Sequence, residues 1–218
     1  MLDNEEKAAF LKSIEQVRQR VAGYLGPAPR AGHAVRFVSS LHESIDKVVQ
    51  KADERGLSTD CKAGCAYCCN VRVETSPAEV FLIARELRKR PVHQLNILRH
   101  RLKQHVAATD APGGDVARID CAFLDRNLCA IYPLRPATCR KAHSVVRECC
   151  EKMEPEIPHH LDILLGAEAL IKGTGDAYRD CQLDASPLEL CRGVLLALSD
   201  DGAESRWSRG EFVFSGDQ

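Results

Sequence analysis

Four cysteines crowd into nine residues, CKAGCAYCC at positions 61–69, and three more follow in CAFLDRNLCAIYPLRPATCR at 121–140. Thiolates at C-x3-C and C-x2-C spacing suit a metal. Each sulfur must stand about 2.3 Å from the ion, which brings neighbouring sulfurs within about 4 Å of one another. A short loop achieves that at small entropic cost, and Gly64 supplies backbone freedom inside it. Positions i, i+4, i+7 and i+8 also share one helical face, so a helical turn would cluster the same sulfurs. The second group is more dispersed, with Pro133 and Pro136 stiffening the path between Cys129 and Cys139. The candidate metal ligands are Cys61, Cys65, Cys68, Cys69, Cys121, Cys129 and Cys139.

A zinc site or an iron–sulfur cluster takes four protein ligands, and these groups hold seven thiols. Either some are spare, or the centre is multinuclear or double, with an eighth ligand from Cys149, Cys150 or a histidine such as His143. Eleven cysteines cannot all pair within one chain. The N-terminus, MLDNEEKAAF, lacks the basic start and apolar stretch of a secretory signal, so a reducing, cytoplasmic setting is expected, where thiols bind metal or do redox work.

The pairing of CKAGCAYCC with CAFLDRNLCAIYPLRPATCR resembles the CxxCxxCC cysteine-cluster family (YkgJ-like), described as zinc- or iron-chelating. The likeness covers roughly residues 58–143, with three residues in the first gap where the family's name implies two. It implies that the seven cysteines ligate zinc or an iron–sulfur cluster such as 4Fe–4S, with Tyr132, Arg135, Pro136 and Arg140 as motif residues. Members described as iron–sulfur proteins, and a flagellin lysine methylase among the relatives, leave the activity of this chain open.

Beside these stand blander readings. Cys191 aligns with Leu188, Leu195 and Leu198 and reads as a core residue. His42, His93, His100 and His105 lie on charge-rich helices and read as surface positions, while His159-His160 precedes a helix. Arg135 and Arg140 read as pairing carboxylates or carbonyls around a hairpin, with offsetting of thiolate charge as the functional version. Trp207, Phe212 and Phe214 are expected to pin the tail to the core.

The elements that must position these groups are mainly helical. Phe10, Ile14, Val17 and Val21 mark a helix over 5–23, GPAPRAG (26–32) breaks it, and Val38, Leu41, Ile45, Val48 and Val49 mark a second. Ser76-Pro77-Ala78-Glu79 forms a capping box for a third helix that Pro91 stops. Leu95, Leu98, Leu102 and Val106 mark a fourth over 92–108, ended by DAPGG (110–114). Arg85 to Arg90 reads as a solvated helix face. The second capping signature, Ser186-Pro187-Leu188-Glu189, predicts a helix through Ser199, and another is expected near 159–172. The stretch flanking Asp125-Arg126-Asn127 reads as a β-hairpin, with Pro136 opening a short helix that carries Cys139. The fold class is therefore mainly α: a compact helical domain with a small β-hairpin, organised around a cysteine-ligated metal centre. An N-terminal helical pair (1–57), the cysteine-cluster region (58–150) and a C-terminal helical region (151–218) are expected to form one unit.

With 44% hydrophobic residues and a net charge of −1, the chain reads as a soluble globular protein with no electrostatic footprint for nucleic acid. Runs such as Val194–Leu198 are too short to span a membrane, and nothing points to a protein partner. There is no phosphate-cradling loop, HExxH or nucleophile elbow. Three functions stay open: a structural or carried metal centre, a metal or iron–sulfur enzyme of unknown substrate, and a thiol redox sensor.

Overall fold

The computed structural model describes residues 2–26, 31–62, 64–113 and 118–214. Helix α1 (Asn4–Leu25) opens on a reciprocal cap, with Asp3 accepting from the Glu6 N–H and Glu6 from the Asp3 N–H, and it ends at Gly26. Residues 27–30 of the predicted breaker lie outside the described residues. Helix α2 (Ala31–Glu54) buries Val38, Leu41 and Ile45, the apolar stripe expected from the spacing.

Both helices pack on α7 (Leu161–Asp180), which is longer than the sequence suggests. The approach to α1 is close because Gly173 faces Ile14 and Val17. A Cβ built there would stand 2.6 Å from the Ile14 carbonyl oxygen and from Val17 Cβ. Arg18 closes the same contact by bonding both carboxylate oxygens of Asp180, at 2.6 and 2.9 Å.

A second body of core forms where α3 (Pro77–Leu87) and α4 (Val92–Asp110) pack on α8 (Leu190–Ser199). Trp207, on α9 (Ala203–Trp207), is fully buried there and donates its indole N–H to the Asp184 carbonyl at 2.8 Å. Phe81 sits 5.4 Å from the rings of both Trp207 and Phe214. Two of the three tail aromatics therefore hold the C-terminal segment down, while Phe212 is exposed.

Two local expectations need correction. The helix expected from Ser186 starts only at Leu190, because Leu188–Glu189 (β4) pairs antiparallel with Glu74–Thr75 (β1). Glu189, not Ser186, is the N-cap, its carboxylate accepting from the Cys191 and Arg192 N–H groups. The basic stretch of α3 is also more than a solvated face: Arg85 pairs with Glu204, Arg88 with Asp201, and Arg90 donates to the Ala130 carbonyl.

The hairpin is present as β2 (Leu124–Asp125) and β3 (Leu128–Cys129), joined through Arg126 and Asn127 with φ of 47° and 63°. Two successive positive φ values are what a two-residue turn needs to match strand twist, and asparagine tolerates them well. Two short helices, α5 (Ala137–Lys141) and α6 (Arg147–Lys152), complete the cysteine-rich end. No helix among the described residues is long and apolar enough to cross a membrane.

Candidate metal centre

The first cysteine loop is not an α-helix. Cys65 N–H donates to the Lys62 carbonyl at 3.0 Å, closing a turn through Gly64 at φ 88°, where a side chain would be strained. A 3-10 turn (Tyr67–Asn70) follows and carries Cys68 and Cys69. Of the two geometries compatible with the spacing, the chain adopts the irregular one.

Both edges of this loop are laced to later chain. On one side the Cys121 N–H donates to the Cys69 carbonyl at 2.7 Å, joining the loop to the hairpin. On the other, the Asp60 N–H donates to the Ser144 carbonyl at 2.9 Å, and the Ser144 N–H donates to the Cys61 sulfur at 3.1 Å. The Asp60 carboxylate accepts from the Arg147 N–H, drawing α6 alongside. Beneath the hairpin, Phe123 and Ile131 are fully buried, and the α5 backbone carries Cys139 inward against the same core.

These attachments place the sulfurs in two overlapping groups. Cys61 feels the charges of Cys65, Cys68 and Cys150. Cys139 feels those of Cys68, Cys121 and Cys129, and Cys69 those of Cys68, Cys121 and Cys129. These couplings act through space, and none of the seven sulfurs is among the donor atoms that gather within 4.8 Å of one another in the described residues. Cys150, on α6, is coupled to Cys61. Cys68 is the member that both groups share.

Electrostatics describes what such a cluster demands. Burial, followed by the neighbouring sulfurs, pushes the Cys61, Cys129 and Cys139 thiols up. Cys68 moves the other way, to about 6, because Cys69 donates a hydrogen bond to it and Arg135 lies nearby; Cys69 is correspondingly raised. The folded chain can therefore ionise some of these thiols but resists ionising all. A cation among them would remove that mutual repulsion. Soft thiolate donors, with an N–H···S bond already formed at Cys61, fit zinc or iron–sulfur ligation rather than a hard oxygen-seeking ion.

The two arginines divide. Arg140 is buried, donating to Asp46 at 2.5 Å and to the Pro133 and Arg135 carbonyls at 2.6 and 3.0 Å, a structural role. Arg135 stacks over Tyr132, with its guanidinium carbon 4.2 Å from the ring centre, and stabilises thiolate at Cys68 and Cys129. Its Nε is buried with no hydrogen-bond partner among the described residues, as is Nδ1 of His143.

Sequence reasoning missed Glu79. It reads as a helix cap and does accept from the Ser76 N–H, at 3.1 Å. It is also buried, and it accepts from His42, Thr75 and the Ala137 N–H, the last at 2.6 Å. One carboxylate thus ties α2, the start of α3 and the start of α5, the helix that carries Cys139. His42, expected at the surface, is buried as its partner. His93 and His100 are exposed as expected, whereas the His105 side chain is largely covered. His160 and His159 bond the Ser58 and His143 carbonyls, so they tether chain around the loop.

Residues 60–156 match the CxxCxxCC family model, described as "Putative zinc- or iron-chelating domain". No curated protein and no solved structure matches the chain. The matched span contains the seven cysteines, both bonded edges of the loop, and Cys150, and leaves Cys181 and Cys191 outside. Over residues 60–156, somewhat under half of its length, the chain is therefore similar to the CxxCxxCC family, whose domain is described as zinc- or iron-chelating.

Proposed function

We propose that the chain holds zinc, or iron as an iron–sulfur cluster, through Cys61, Cys65, Cys68, Cys69, Cys121, Cys129 and Cys139, with Cys150 as an eighth sulfur. The observation that supports this reading is the zinc- or iron-chelating family match over residues 60–156, which spans all eight sulfurs, with hydrogen bonds tying the 61–69 loop to Cys121, Ser144 and Arg147. Eight sulfurs match two four-ligand centres, or one multinuclear centre, better than a single ion. Arg135 offsets part of the negative charge that such a centre accumulates.

A second reading, catalysis or metal transfer at the centre, draws on access. Cys68 is exposed, and Cys65 lines a cleft of about 400 Å³ together with Lys62, Tyr67, Asn70, Asn127 and Arg147. A purely structural site is closed, whereas one that reacts or delivers keeps an open side.

Elemental analysis and an ultraviolet–visible spectrum of protein purified without oxygen test the proposal. An iron–sulfur centre gives a brown protein with iron and sulfide; zinc gives a colourless one. Cys65→Ser and Cys129→Ser should each lower the metal content. Protein containing neither metal above trace would end the reading.

A further inference from the structure

A different set of donors meets between α4 and the start of α8. His105, Glu189 and Cys191 each offer one ligand atom, and these atoms lie within 4.8 Å of one another, the set among the described residues that does so. We infer that His105, Glu189 and Cys191 form a second metal site, with one nitrogen, one oxygen and one sulfur donor, suited to a zinc-type dication.

The imidazole is set up as a ligand. Its Nδ1 lies 3.0 Å from the Asp120 carbonyl, which can only accept, so Nδ1 carries the proton. In the neutral ring Nε2 then presents a lone pair, and it faces the Glu189 Oε1 at 3.7 Å. Two acceptors opposed in this way call for a positive charge between them, either a proton on Nε2 or a metal ion in its place. The separation is too long for a direct hydrogen bond. It is close to the roughly 3.3 Å between two donors that share one tetrahedral ion at about 2.0–2.1 Å each. Metal-binding histidines characteristically use their second ring nitrogen to bond a backbone carbonyl, as His105 does.

The other donors are equally fixed. Glu189 Oε1 accepts from the Cys191 N–H at 2.9 Å and Oε2 from the Arg192 N–H at 2.7 Å, which sets the carboxylate plane. Cys191 is 1% exposed, so its sulfur has no route to solvent. Three protein donors leave the fourth position of a tetrahedral ion to water. The ion would join α4 to the start of α8. Glu189 and Cys191 lie outside residues 60–156, so this site is additional to the family match.

The test uses the full chain, purified without oxygen and equilibrated with zinc alone. The double variant His105→Gln, Cys191→Ala should lose one zinc per chain relative to wild type while keeping the metal of the cysteine centre. An unchanged zinc content in the folded variant would overturn the site. X-ray absorption at the zinc edge needs no mutation of this site, and Cys65→Ser protein isolates it from the other centre. There the expected shell is one sulfur at about 2.3 Å and three lighter donors, water included, at about 2.0–2.1 Å. A shell of sulfur only, or no retained zinc, would overturn it. Loss of metal from the cysteine centre with this shell intact would refute the first proposal and leave the second standing.

Discussion

Glu79 is the residue whose replacement tests the architecture most directly. Its two oxygens receive five hydrogen bonds: Oε1 from His42 at 2.9 Å and the Ala137 N–H at 2.6 Å, Oε2 from Thr75 at 2.9 Å, the Ser76 N–H at 3.1 Å and the Ser76 hydroxyl at 3.0 Å. Glu79→Ala strands three buried donors, those of His42, Thr75 and Ala137, whereas Ser76 is partly exposed and can turn to water. A stranded buried donor costs about 1–3 kcal/mol. Part of that sum is returned because the desolvated carboxylate is gone, so a net loss of about 3–5 kcal/mol is expected. An independent route gives a similar figure. Burial works against the carboxylate's charge, yet the His42, Ala137 and Ser76 bonds outweigh it and hold the pKa at about 2 against an ordinary 4.5. That gap corresponds to about 3 kcal/mol. Because the folded value is depressed, this stability is present above pH 4.5 and is lost as pH falls toward 2. Urea unfolding followed by circular dichroism at pH 7 should place Glu79→Ala about 3–5 kcal/mol below wild type, and Glu79→Gln, which keeps one acceptor oxygen, about 1–3 kcal/mol below. Glu79→Gln should also flatten the stability profile between pH 4.5 and 2. A Glu79→Ala protein within about 1 kcal/mol of wild type would refute the assignment of this carboxylate as the tie between α2, α3 and α5.

Chelation of the metal should accelerate amide exchange in residues 61–69 and 121–139 while leaving α1 protected, since that helix packs on α7; uniform protection after chelation would favour the redox-sensor reading. Gly173→Ala should destabilise by about 1–3 kcal/mol in thermal unfolding despite alanine's better helix propensity, because its Cβ meets backbone and side chain of α1. Arg140→Met should cost about 2–4 kcal/mol by leaving the Pro133 and Arg135 carbonyls and Asp46 without their donor. Arg140→Lys should recover less than half of that in the same urea assay, since one ammonium cannot reach three acceptors in a fork.

Much of the local structure is legible in the residues themselves. Close cysteine spacing can be satisfied within a turn, so the metal-binding character of 61–69 needs no knowledge of the rest of the chain. The Ser76 cap, the Arg126-Asn127 turn and the short helix after Pro136 follow from backbone preferences that act over a few residues. The same locality misleads at Ser186, where a second capping signature loses to β pairing with Glu74 and Thr75, partners more than a hundred positions away. It also hides Glu79, whose role as a cap is visible while its burial against His42 and Ala137 is not. What the sequence by itself determined is the chemistry on offer: a thiol-rich loop, a hairpin and the family pattern that joins them. Tertiary structure alone decided which groups meet, because the packing of α4 on α8 is set by apolar faces distributed along the whole chain. That packing turns a histidine expected at the surface and a cysteine expected to be plain core into neighbours around Glu189, while the Arg147–Asp60 bond draws α6, which carries Cys150, alongside the cysteine loop.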